Sequence, residues 1–324
     1  MSIRKYLGKV LLVILLISIA LPVTPAHAQD QPGDQATLLA KVLAAIEVVD
    51  TYKSYAVSTE QTWYQSWTGG LTDEIMEGQT VEMIRREQGT AVLDGTGANI
   101  QHLVTVSSTQ TPLTAPPTTY SLEGEIRVVD GTVYVNATYE DARSGLPTLP
   151  DGWAKVSDIN AFQVWPGLGI LMNPQAYFGD EASKTSYRVL GIRVTDLAPI
   201  LDQYVTNVTS APAQLEDGSP VEVISVTLNR EGVRAAGIAY SPNDPVEQLI
   251  YENTTGDPLT ITFSLDDQGY LIEQNLLFEV KITDLDISAA VGAPPGYIID
   301  LTLRQAYNLR FTAINEPVAR VEAP

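Results

Sequence analysis

The sequence predicts an α+β protein: an N-terminal helix, then a mainly antiparallel sheet of roughly ten strands with helices on one face. Three observations predict it. An apolar stripe of helical period runs through residues 35–52. Alternating segments rich in Val, Ile, Thr and Tyr then follow almost to the C-terminus. Most of them are separated by turn-sized gaps, which favours hairpins over crossovers.

The composition sets the outer limits. The chain has 324 residues, 44% of them hydrophobic, and no cysteine. That is enough apolar material for a packed core. It leaves no disulfide, thiolate metal site, cysteine nucleophile or lipid-modified N-terminal Cys. Nineteen Lys+Arg against 39 Asp+Glu give a formal charge of −20. Nucleic acid is therefore not an expected partner, because phosphate neutralisation needs clustered cations.

Residues 1–28 read as a secretory signal. Arg4, Lys5 and Lys9 precede the apolar run VLLVILLISIA, and Ala26-His27-Ala28 fits a small-x-small cleavage site. The run is shorter than the roughly 20 residues that span a bilayer, so cleavage near Ala28 is expected, with no stable membrane anchor afterwards. Export would place the protein outside the cytoplasm, secreted or in the cell envelope. Residues 29–34 read as a polar mobile leader, and residues 35–324 as a single domain.

The first helix, over 35–52, carries Leu38, Val42, Ala45, Ile46 and Val49 on one stripe, with Asp34 as its N-cap. Strands are predicted over 55–65, 74–86, 99–107, 121–129, 132–139, 153–156, 185–193, 221–229, 246–252, 259–265, 270–282, 298–303 and 307–315. Helical interruptions are predicted over 159–172, 195–205 and 284–291. Ser/Thr/Pro-rich stretches at 107–119 and 209–220 read as loops.

Two hairpins are specified by geometry. A two-residue turn at Asp130-Gly131 pairs Val129 with Thr132, placing Ile126, Val128, Val133 and Val135 on one face. A four-residue loop over 266–269 pairs Leu265 with Tyr270, placing Ile261, Phe263, Leu265, Tyr270 and Ile272 together.

Several local sequences resemble the extracytoplasmic lipoprotein-carrier superfamily, which includes LolA, LolB and the LppX/LprG-type lipoproteins of mycobacteria. VVDTYKSYAVSTEQT (Val48–Thr62) looks like its helix-to-first-strand junction. VVDGTVYVNATY with GWAKVS (Val128–Tyr139, Gly152–Ser157) resembles its middle strands. FSLDDQGYLIEQ (Phe263–Gln274) resembles its late hairpin, and FTAINEPVARVEAP (Phe311–Pro324) its last strand and tail. The resemblance implies a strongly curved half-barrel with helices on the concave face and an apolar cavity that holds acyl chains. Its members usually carry an acylated N-terminal Cys, so membrane tethering does not carry over.

No sequence pattern marks catalysis. His102 is the one histidine after residue 28, no Gly-x-Ser-x-Gly elbow accompanies it, and a structural strand histidine is the better reading. A metal site is not expected: zinc lacks a second His or a Cys, and Asp266-Asp267 and Asp284/Asp286 read as a turn and a strand end. No cofactor is expected either, since Gly95-Thr-Gly97 and Gly167-Leu-Gly169 lack the third glycine of a dinucleotide fingerprint.

The expected function is non-catalytic binding of a lipid or other hydrophobic molecule in a cavity lined by Leu38, Val42, Ala45, Ile46 and Val49, with Phe162, Trp165, Leu168, Gly169 and Leu171 opposite. Trp63 and Trp67, on one side of a strand, form a candidate aromatic surface. The alternative is an interaction or sensory module with a filled core and no ligand.

Overall fold

The computed structural model describes residues 32–49, 51–69, 78–94, 97–112, 115–141, 151–155, 188–189, 192–215, 217–240, 245–254, 259–292 and 295–324. The expected signal segment, the 159–172 helix and the glycine pair at 167 and 169 lie outside them. Among the described residues no helix is long and apolar enough to cross a membrane.

Helix α1 (Pro32–Val49) begins at a proline, whose missing N–H costs nothing in a first turn. It starts three residues before the predicted boundary. Asp34 therefore lies inside the first turn rather than capping it, where its charge still favours the helix dipole. The predicted stripe is buried: Leu38, Val42, Ala45, Ile46 and Val49 all lie in the main core cluster. The chain turns out of the helix at Thr51, whose N–H and hydroxyl both donate to the Val48 carbonyl.

Among the described residues, eleven strands form one open antiparallel sheet in the order β6-β5-β4-β3-β2-β1-β13-β12-β11-β10-β9. They are β1 (Ser54–Gly69), β2 (Gly78–Asp94), β3 (Gly97–Pro112), β4 (Thr118–Val129), β5 (Thr132–Asp141), β6 (Ala154–Lys155), β9 (Val205–Gln214), β10 (Pro220–Leu228), β11 (Leu259–Leu265), β12 (Leu271–Asp286) and β13 (Ile298–Thr312). Two short strands, β7 (Arg188–Val189) and β8 (Ile192–Arg193), pair separately. β1 is the central strand, joined to β2 on one side and to β13 on the other. The short helices are α2 (Val194–Tyr204), α3 (Arg230–Tyr240), α4 (Pro245–Glu252) and α5 (Ser288–Val291).

One sheet face is the core face. Along β13, Ile299, Leu301, Leu303, Gln305, Tyr307, Leu309 and Phe311 are buried at a strict period of two. That is the pattern of a strand with one covered side. α1 packs against α2 and against β9, β10 and β12. At its C-terminal end the Tyr52 ring meets Tyr55, Tyr270 and Phe311 edge to face, with centroids 6.2, 5.6 and 5.6 Å away. The Tyr52 hydroxyl donates to the Leu271 carbonyl, and burial holds its pKa above the ordinary phenol range.

The β4–β5 hairpin has the predicted register. Asp130 and Gly131 take φ of 50° and 73°, as a two-residue hairpin turn requires, and Val129 faces Thr132. The β11–β12 hairpin differs. A register shift leaves Leu265 opposite Leu271 and Phe263 opposite Gln274. Leu271, Gln274 and Leu276, rather than Ile272, thus join the Ile261–Leu265 face, while Tyr270 still packs against the core through Tyr52. The cause is local: the Asp266 carboxylate accepts the N–H groups of Gln268 and Tyr270, which tightens the loop and leaves an extra residue in β12.

Four further readings are corrected. The segment at 246–252 is helix α4, because a short apolar run fits either period. The predicted loop at 209–220 contains the end of β9, an edge strand that needs few apolar residues. The two strands at 298–303 and 307–315 are one, β13. Residues 284–286 continue β12, which leaves only Ser288–Val291 helical.

Candidate functional site

The middle of the core face is not purely apolar. Strand pairing places side chains in rows across the sheet. One row runs Gln274, Leu309, Thr59, Glu87, Val104 and Gly124 from β12 to β4. The next runs Leu276, Tyr307, Gln61, Arg85, Val106 and Leu122. The third runs Phe278, Gln305, Trp63, Met83, Ser108 and Tyr120. Thr59, Arg85, Glu87, Ser108, Gln274 and Gln305 are all buried, and so is His102 in the adjoining row.

Burying an ionised side chain is costly unless it is paired, and these are. The Arg85 guanidinium forms an ion pair with the Glu87 carboxylate two residues along β2, and the His102 Nδ1 lies 3.6 Å from the same carboxylate. Burial of the imidazole, with the Arg85 charge nearby, pushes the His102 pKa down to about 3. His102 is therefore neutral at pH 7. Other polar groups have no hydrogen-bond partner among the described residues: both amide atoms of Gln274, the amide nitrogen of Gln305 and the Ser108 hydroxyl.

Trp63 and Trp67 point to this core face from the central strand. They are half-buried and pack against the main cluster, so they do not form a patch on the outer face. Gln61 to Trp67 are uniformly half-buried, whereas Tyr55, Val57 and Thr59 of the same strand are fully covered.

A groove of about 630 Å³ opens between α1 and the β9–β12 end of the sheet. Ala44, Ala45, Val48, Val221 and Leu265 supply its apolar lining. The Lys41–Glu222 ion pair, at 2.8 Å, and the acidic Asp266-Asp267 turn form its polar edge. Of the predicted helix residues only Ala45 reaches the groove; Leu38, Val42, Ile46 and Val49 are spent on the core. Phe162, Trp165, Leu168, Gly169 and Leu171 lie outside the described residues. A second hollow, of about 340 Å³, is lined mainly by outer-face residues such as Ser58, Gln88 and Leu103, away from every predicted position.

Sequence reasoning missed Arg85, Glu87, Gln274 and Gln305 as core-face residues. The available signal was register. Gln305 occupies an inward position in an otherwise apolar odd-numbered series, but it looked like a break because β13 was split there. Asp266-Asp267 and Asp286 serve as turn and cap carboxylates, the latter accepting the Ser288 N–H. Among the described residues no cluster of three or more His, Cys, Asp or Glu side chains could hold a metal ion.

No family model matches the chain, and no curated protein matches it. Among solved structures it is similar to a beta-barrel-like protein of domain of unknown function DUF1849 from Brucella abortus. The identity is 8%, the TM-score is 0.22, and the match covers 79% of this chain and 98% of that one. These comparisons do not place the chain in the lipoprotein-carrier superfamily that its motifs resemble.

Proposed function

We propose that the protein is an exported, non-catalytic carrier that holds a lipid or another hydrophobic molecule between its sheet and its helices. In this reading the sheet curls as a half-barrel and helices line its concave side, as the motif resemblance implies. The observation that supports it best is the half-burial of Trp63 and Trp67 on the core face of the central strand. In a filled core, burial is deepest at the centre of the sheet. Here it weakens there, leaving aromatic surface for a ligand to cover. Affinity would come from burial, at roughly 0.8 kcal/mol per methylene.

A neutral, polarity-sensitive fluorescent probe tests this. The wild-type protein should take it up with energy transfer from tryptophan, and a Trp63→Phe/Trp67→Phe variant should lose most of that transfer. Ala44→Trp, at an exposed position lining the groove beside α1, should weaken uptake with an unchanged circular dichroism spectrum. A folded wild type that takes up no probe would instead fit the interaction or sensory module with a filled core.

A further inference from the structure

The carrier reading leaves open what kind of hydrophobic molecule is held, and the core face bears on this. Gln274 is fully buried with neither amide atom bonded, although Phe263 and Leu309 flank it across the strands. Gln305, only 4% exposed, has an unbonded amide nitrogen and sits between Phe278 and Trp63. Ser108, in the same row beyond Trp63 and Met83, is also 4% exposed, with an unbonded hydroxyl. An unbonded buried polar group costs about 1–3 kcal/mol, and a pure hydrocarbon ligand would leave all three unbonded. These groups offer both donors and acceptors and carry no charge.

The charged residues nearby do not call for an ionic ligand. Arg85 is already paired with Glu87 in the row between the two glutamines, so its charge is answered within the sheet. The edge of the groove beside α1 carries Asp266 and Asp267, and the whole chain has a formal charge of −20. A carboxylate or phosphate ligand would approach against that field.

Resting on the carrier reading, we infer that the ligand is a neutral amphiphile whose ester, amide or hydroxyl groups bond to Gln305, Gln274 and Ser108, with its hydrocarbon chain along the apolar rows on either side. The half-buried stretch from Gln61 to Trp67, adjacent to Gln305, is where the ligand lies against β1.

Three probes of equal chain length separate the possibilities: monolaurin, dodecane and dodecanoate, each displacing a neutral fluorescent reporter from the full-length mature protein. The wild type should bind monolaurin about ten-fold or more tighter than either other compound. Gln274→Leu/Gln305→Leu should keep dodecane binding, lose most of the monolaurin preference and melt no lower than wild type. Should the double variant fail to fold, Gln305→Leu alone and the wild-type ratios decide the matter. Equal binding of monolaurin and dodecane, tightest binding of dodecanoate, or a preference that survives in folded variants would each overturn this inference and leave the carrier reading standing. Binding of none of the three would remove the carrier reading itself, and this inference with it.

Discussion

The imidazole of His102 lies across its strand partner Gly89 so closely that a Cβ at residue 89 would stand 2.4 Å from the His102 Cδ2 and 2.4 Å from the Gln101 carbonyl oxygen. A glycine in the middle of a β-strand ordinarily weakens it, and here the close approach of β3 explains its presence. Gly89→Ala should therefore destabilise the protein by about 1–3 kcal/mol, through displaced backbone and a tilted ring. Thermal melting measures this. An unchanged melting temperature would mean that β2 and β3 do not approach so closely.

The same histidine makes stability depend on pH. An unfolded histidine titrates near 6.5, whereas burial holds the folded His102 at about 3. Between those values the unfolded chain binds a proton that the folded chain does not, so stability falls as pH falls. The loss should be about 2 kcal/mol between pH 7 and pH 5, above the range in which most carboxylates protonate. Two groups face the ring: the Glu87 carboxylate, 3.6 Å from Nδ1, and Arg85, which pairs with that carboxylate. Denaturant titrations at the two pH values should show the drop in wild type and a nearly flat response in His102→Leu. Equal slopes in the two proteins would contradict the assignment.

Register gives a third test. Val133 lies on the covered face of the β4–β5 hairpin, opposite Val128, and packs against both core clusters. Thr132 lies on the other face beside the turn. Val133→Asp should cost about 2–4 kcal/mol, and Thr132→Asp less than about 1. Equal losses in melting temperature would mean a register one residue away.

The C-terminal tail is fastened by a side chain that imitates a strand. Asn99 donates to the Val321 carbonyl at 2.7 Å and accepts the Val321 N–H at 2.8 Å, and Arg127 donates to the next carbonyl, at Glu322. Asn99→Ala should release this end of the tail, with faster hydrogen exchange at Val321 and a stability loss of about 1–2 kcal/mol. Unchanged exchange there would show that the tail is held by other contacts.

What could be read from the sequence was mostly local. The Asp130-Gly131 turn fixes its hairpin because two residues with positive φ leave one register. The α1 stripe is equally plain, since five apolar residues at helical spacing share one burial. The misses have physical causes. The Asp266 side chain competes with the backbone in the next hairpin and shifts its register, an effect that alternation does not show. Helix α3 had a cap in view: Asn229, whose side chain accepts the Gly232 N–H, was read as the end of a strand. The polar rows were hidden for another reason. Gln274, Gln305 and Glu87 become neighbours of the same face only when strands distant in sequence pair, which no local pattern encodes.

Whether the core face holds a hydrophobic ligand is decided by mass spectrometry of organic extracts from the exported, purified protein. A neutral amphiphile should co-purify near one molecule per chain and be absent from extracts of a Trp63→Phe/Ala44→Trp variant that retains the wild-type circular dichroism spectrum. Extracts without any such molecule, together with a delipidated wild type that takes up neither monolaurin nor dodecane, would contradict such binding.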